Sequence, residues 1–277
     1  MLSLDLWFVL LITLRDMSSD RNFNFKLLGT GTSTGVPILS CTCPTCTSEN
    51  PKDKRLRCSA LFSVNNKNYI IDTGPDFRQQ MLLNDIDDIE AVLYTHHHFD
   101  HIGGFDDLRG FNFMKQKYIP IFLNSETYEN IHSIFSYAFH EGYNQSSVPK
   151  VVPNIIIDDK IEFEEFKVDV LDLKHGNLDV LGFRIGNLAY CTDTNFIPND
   201  TLKRLENLEY LIIDGLRDSD SKSHFTIDQA IEQAKIIGAK KTYITHLAHQ
   251  IKYDDWVNKL PDNIYLSFDG LNLKGEL

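Results

Sequence analysis

Three histidines and an aspartate sit at the spacing His96-x-His98-x-Asp100-His101, directly after the apolar run Ala91-Val92-Leu93. If that run is a buried strand, period-2 alternation puts His96 and His98 on one side and aims His97 away. The chain must then turn to bring Asp100 and His101 round from another direction, and Gly103-Gly104 allow close backbone approach there. Two imidazoles from one side, with a carboxylate and an imidazole from another, can hold two divalent ions side by side. The ligand set is mixed: imidazole suits zinc and carboxylate tolerates manganese. The plainer alternative is a solvated loop that is merely rich in histidine.

Further chemistry-bearing residues recur at predicted strand ends. The apolar segment 210–213 ends in Asp214, 166–173 runs into His175, and 188–191 leads to Asp193. The segment 242–245 carries His246 and, three residues on, His249. Strands of one packed sheet end on a common edge, so His175, Asp193 and His246 are expected to converge with the histidine-rich loop. Three ligands on each side plus a bridging carboxylate make a two-metal hydrolytic site. Asp72, after the predicted hairpin 60–64 and 69–71, can orient a histidine ligand from behind or simply cap a turn.

A second cluster, Cys41-Thr42-Cys43-Pro44-Thr45-Cys46, offers three thiolates of a tetrahedral zinc claw. Buried apolar cysteines and a redox pair are the competing readings, the latter weakened by the lack of a following helix. The only dense basic run is Pro51-Lys52-Asp53-Lys54-Arg55-Leu56-Arg57. It reads either as a solvated loop or as a grip on an anionic substrate.

The elements that must position these groups alternate between strand and helix. The segment 23–28 is an opening strand that leads into Gly29-Thr30-Gly31-Thr32-Ser33-Thr34-Gly35, a tight turn or a phosphate cradle. Residues 118–123 are a strand and 125–140 a helix with Tyr128, Ile131, Phe135 and Ala138 on one face. His132 and His140 read as ordinary surface or interfacial histidines. A polar loop over 142–153, with Tyr143, is suited to cover the site. Short strands follow at 155–157 and 160–163, then a hairpin turning at Gly186-Asn187. Thr226 and Gln229 form a capping box for a helix that stops at Gly238. No linker and no sequence repeat divides the chain, which favours one α/β domain over residues 23–277.

Composition sets the bounds. The chain has 277 residues, 42% of them hydrophobic, enough for a sizeable core. A formal charge of −12 argues against broad nucleic-acid binding, although metals can supply positive charge locally. Five cysteines, three of them clustered, fit free thiols in a reducing cytoplasm better than a disulfide framework. Residues 6–14, LWFVLLITL, are too short to span a bilayer and lack the flanks of a signal peptide. Residues 1–22 therefore read as an extension, with Met17 as the expected start, a peripheral amphipathic anchor or an edge strand as the alternatives, and no membrane partner expected.

Taken together, GTGTSTGVP, CTCPTC, PKDKRLR, DTGPDFR, THHHFDHIGGFDDLR, YCTDT and THLAH resemble the metallo-β-lactamase-fold phosphodiesterases. The likeness is strongest to those that hydrolyse phosphoribosyl 1,2-cyclic phosphate in phosphonate breakdown. It covers the chain from about residue 23 onward. The resemblance implies an αββα sandwich with two divalent ions, zinc or manganese, at the sheet edges. It assigns His96, His98 and His175 to one ion and Asp100, His101 and His246 to the other, with Asp193 bridging. It makes His224 the substrate-side group that assists the leaving oxygen, and completes a structural zinc from Cys41, Cys43, Cys46 and His249. The expected reaction is hydrolysis of a small cyclic phosphate ester by a water bridging both ions. Lys54, Arg55 or Arg109 would grip a second phosphate. A tRNA 3′-end endonuclease and a non-hydrolytic coenzyme-biosynthesis accessory protein share the motif and are the alternatives. No extended nucleic acid is expected as a partner, and a homodimer is left open.

Overall fold

The computed structural model describes residues 22–140 and 148–277. The expectations for residues 1–21 and for Tyr143 lie outside the described residues.

Two seven-stranded sheets face one another. The first comprises β1 (Asn22–Gly29), β2 (Ser59–Val64), β3 (Lys67–Ile71), β4 (Ala91–Leu93), β5 (Ile119–Leu123) and β6 (Val151–Ile155). The second comprises β7 (Lys160–Glu162), β8 (Lys167–His175), β9 (Leu178–Ile185), β10 (Leu188–Cys191), β11 (Tyr210–Asp214), β12 (Lys241–Thr245) and β13 (Ile264–Leu266). The last strand, β14 (Asn272–Glu276), crosses back to lie beside β1. Each sheet begins antiparallel and turns parallel. In the first, β1, β2 and β3 pair antiparallel and β3 to β6 parallel. In the second, β7 to β10 pair antiparallel and β10 to β13 parallel.

Sequence pattern explains the layering. On β1, Phe23, Phe25 and Leu27 alternate inward and meet Phe62, Phe183 and Tyr190 between the sheets. The Phe25 and Tyr190 rings, 5.8 Å apart, join one sheet to the other. Burying each such large apolar side chain is worth about 1.5–3 kcal/mol. The inner strands β4, β10 and β11 are covered on both faces and read as apolar runs. Phe77, Met81, Leu108 and Ile131 cover the outer face of the first sheet from helices Phe77–Leu83, Leu108–Lys115 and Ser125–Ile134. Ile227, Ala230 and Ala234 of helix Ile227–Ile237 do the same for the second. The result is the expected αββα sandwich. Among the described residues, no helix is long and apolar enough to cross a membrane.

Several boundaries differ from those expected. Helix Ser125–Ile134 stops short, and a 3₁₀ turn Ser136–Ala138 continues it. Residues 151–155 form β6, where a loop was expected, and 156–157 fall outside it. Pro153 hid this strand, because proline lacks a ladder donor and belongs at a sheet edge, where β6 lies. The capping box of Thr226 and Gln229 is present, and Gly238 ends the helix at φ 70°.

Candidate metal centre

The site lies where strands of both sheets end. After β4, Tyr94 and Thr95 continue the chain to His96, and His98 caps the short helix Phe99–Ile102 that carries Asp100 and His101. The tight return needs Gly104, since a Cβ there would lie 2.3 Å from the Gly74 carbonyl oxygen. From the second sheet, β8 ends in His175, β10 leads through Thr192 to Asp193, and β12 leads to His246. Three strand-end residues, Asp72, Asp193 and His246, adopt left-handed backbone at φ 63°, 48° and 59°. For non-glycine residues this conformation is costly and persists only where the surroundings over-determine it.

The ligand-type atoms of His96, His98, His175 and Asp193 lie within 4.8 Å of one another. Those of Asp100, His101, Asp193 and His246 do likewise. Asp193 belongs to both sets. Its Oδ1 is 3.1 Å from His246 Nε2, and its Oδ2 is 3.2 Å from His101 Nε2 and 3.6 Å from His96 Nε2.

Hydrogen bonds behind the rings fix their orientation. Asp72, fully buried, accepts from Thr95 N and Thr95 Oγ1 at 2.8 Å each and from His101 Nδ1 at 2.7 Å. Because Thr95 Oγ1 gives its hydrogen to Asp72, it accepts from His96 Nδ1 at 3.0 Å. His175 Nδ1 donates to the Ser223 carbonyl at 2.7 Å. In each ring the Nδ1 proton is held from behind, leaving an Nε2 lone pair for the centre. The Nε2 atoms of His96, His101 and His246 are buried without a hydrogen-bond partner. Lone pairs and carboxylate oxygens converging at these distances fit divalent cations, which would give every one of them a partner.

Electrostatics follow the same geometry. Burial holds the His96 and His98 imidazoles below their ordinary range. Burial acts on His101 too, but Asp193, Asp100 and Asp72 outweigh it and raise it well above that range. For Asp193, burial is outweighed by His246 and His101, which keep the carboxyl well below normal. His98 is the exposed member, so the centre opens to solvent on that side.

His224 stands beside the centre, its ring 4.5 Å from His175 and stacked at 4.7 Å on His246. Its Nδ1 donates to Asp214 Oδ2 at 3.0 Å. Burial opposes protonation there, but Asp214 outweighs it and raises His224 to about 9. Asp214 was read only as a strand end; its other oxygen lies 3.8 Å from His246 Nδ1, so one carboxylate faces both rings. A buried acid at a parallel strand end, like Asp193, is the sequence signal that could have found it.

Cys41, Cys43 and Cys46 surround His249, their sulfurs 3.2, 3.4 and 3.7 Å from its Nδ1. All four ligand-type atoms lie within 4.8 Å of one another, which fits a tetrahedral zinc. The Cys46 backbone N–H lowers the Cys43 thiol to about 6, while burial pushes Cys46 up to about 11. All five cysteines are free.

The three cations expected to grip substrate are engaged elsewhere. Arg55 is a correction: its side chain is 0% exposed and spent on Asp53 and main-chain carbonyls. Lys54 Nζ donates to the Cys46 carbonyl at 3.2 Å. Arg109 pairs with Asp106 at 3.1 Å and lines a groove with Phe77, Met81 and Met114 outside the first sheet.

Known proteins share this architecture. A solved diphosphatase of the PhnP family is 35% identical, with a TM-score of 0.87 over 92% of this chain and 98% of that one. The short form of human tRNase Z, 17% identical with a TM-score of 0.67 over 90% of this chain and 98% of that one, shares the fold. A curated protein named octanoyltransferase, from Porphyromonas gingivalis (strain ATCC BAA-308 / W83), is 36% identical over 248 residues, 88% of this chain. Those residues are 50% of that protein, so the chain spans about half its length. Residues 67–247 match the beta-lactamase superfamily domain, and with that match the chain belongs to the beta-lactamase superfamily.

Proposed function

We propose that this protein is a metal-dependent phosphodiesterase acting on a small, cyclic phosphate ester. One observation carries the reading: all seven ligand-type side chains converge at one open centre, with the His224–Asp214 pair beside it. His96, His98 and His175 would hold one divalent ion, and Asp100, His101 and His246 the other, with Asp193 shared. Such ions bring water toward neutral pKa and offset charge growing on phosphoryl oxygens. Asp72 keeps His101 and, through Thr95, His96 in the ligating tautomer. Asp214 holds His224 protonated at Nδ1 and aims the ring at the centre, where its other nitrogen donates to the departing oxygen.

The 35% identity to a PhnP-family diphosphatase supports phosphoryl chemistry. The tRNA 3′-end endonuclease reading draws on the fold of tRNase Z, but a formal charge of −12 offers little to a long phosphate backbone. A non-hydrolytic accessory role sits poorly with a complete ligand set.

The test is turnover. With added manganese, the protein should hydrolyse bis(p-nitrophenyl) phosphate and 2′,3′- or 1,2-cyclic phosphates of nucleosides or sugars, and process pre-tRNA poorly. Efficient pre-tRNA cleavage without activity on small diesters would establish the endonuclease instead.

A further inference from the structure

Arg55 contributes nothing to an open substrate surface: it is the largest fully buried side chain among the described residues. Its Nη1 donates to the Ala248 carbonyl at 3.1 Å, and its Nη2 to the Ile251 carbonyl at 2.6 Å and Asp53 Oδ1 at 3.1 Å. Its Nε donates to the Lys52 carbonyl at 3.2 Å. Asp53 Oδ1 also accepts from Tyr253 N at 2.8 Å, closing the far end of the same loop. A planar guanidinium can hold several carbonyls at fixed angles, whereas an ammonium cannot.

The glycine-rich turn serves the same cluster. A Cβ on Gly31 would stand 2.9 Å from both Cβ and the carbonyl oxygen of Arg55, so only glycine fits. Thr30 and Thr32 on either side pair with Leu247: Leu247 N donates to Thr30 O at 2.8 Å, and Thr32 N to Leu247 O at 3.3 Å. The strap 246–251 is thus fastened at Leu247 by the turn, at Ala248 and Ile251 by Arg55, and at His249 by the cysteine claw. It begins with His246, whose left-handed backbone needs such fastening.

We infer that Arg55 is a positioning residue: by clamping the strap 247–251 to Asp53, it holds His246 at the centre and ties the cysteine claw to one of the two metal positions. This rests on the metal-centre reading above. Loosening the clamp should weaken the position served by Asp100, His101 and His246, and spare the one served by His96, His98 and His175. It acts through His246 and touches no substrate.

Cobalt(II) titration of the full chain, after mild chelation that leaves the claw zinc in place, tests this. Zinc in the claw gives no d–d absorption, so the cobalt d–d bands report the His/Asp ions alone and the retained zinc reports the claw, with His246→Ala as the reference for loss of one position. Arg55→Lys should keep the claw zinc and one His/Asp ion at wild-type affinity, and bind the other about 10–100-fold more weakly. Excess metal should restore its kcat at unchanged KM. Equal weakening of both ions, or of neither while Tm falls, would reduce Arg55 to a packing role. Should Arg55→Lys fail to fold, the charge-neutral pair Asp53→Asn/Arg55→Met carries the same titration and the same two outcomes. If the wild-type centre takes up no cobalt, the metal-hydrolase reading itself fails, and this inference with it.

Discussion

The His/Asp centre and the cysteine claw share one strap of chain, with His246 serving the first and His249 the second. They are nevertheless built in opposite ways. At the centre His101, His96 and His175 are propped from behind by Asp72, Thr95 and a backbone carbonyl, and Asp214 holds His224 beside them, while His98 opens toward solvent. At the claw, three sulfurs enclose one imidazole, and the loop supplies its own N–H groups, Cys46 N to Cys43 Sγ and Ile38 N to Cys46 Sγ, each at 3.4 Å. An open set of hard and borderline ligands suits exchange and catalysis; a closed thiolate set suits folding. Position along the chain therefore says little about role, and donor type with access says much more.

The largest expected effect separates the two by chelation. Mild chelator should abolish phosphodiesterase activity while about one zinc per chain stays bound, as a closed site predicts. Zinc leaving both clusters in parallel with activity would erase the distinction.

Next comes His224, which stands on the open side and is assigned to no metal position. His224→Ala should lose ~10²–10⁴-fold in kcat on an alkyl or cyclic sugar diester, and much less on a p-nitrophenyl ester whose leaving group needs little protonation. Metal content and melting should match wild type. Equal losses on both esters would mean positioning or charge stabilisation, and a missing ion would make His224 a ligand.

The smallest effect on chemistry, though not on stability, is expected at the claw. Cys43→Ser should lower Tm and the yield of soluble protein while kcat per correctly loaded centre stays within a few-fold of wild type. A stable variant with unchanged zinc content would show that the claw is no structural site.

The sequence made the strand ends visible because their chemistry is local: an apolar run, then a histidine or an acid. The turn that brings Asp100 and His101 back toward His96 was legible for the same reason, as was the capping box before Ile227. Arg55 was not. Its partner Ala248 lies 193 residues away, so an arginine within a run that looks solvated is in fact enclosed. Asp214 escaped a role because an acid after a strand resembles any cap until His224 is seen against it. The strand 264–266 is only three residues long and the last strand, 272–276, is polar at alternate positions, so both gain their meaning only from the partners they reach.

That last strand has a consequence for how the molecule is made. Asn22 pairs with Glu276 and Phe25 with Leu273, so the edge of the first sheet is supplied by residues made long after β1 itself. Until the ribosome releases them, β1 presents an unpaired ladder beside a finished β2. The entropic cost of joining such distant segments grows only slowly with the length between them, but the wait is imposed by translation. A nascent chain of this protein carries an open sheet edge through the synthesis of everything between, and closes it only once residues 272–276 have emerged.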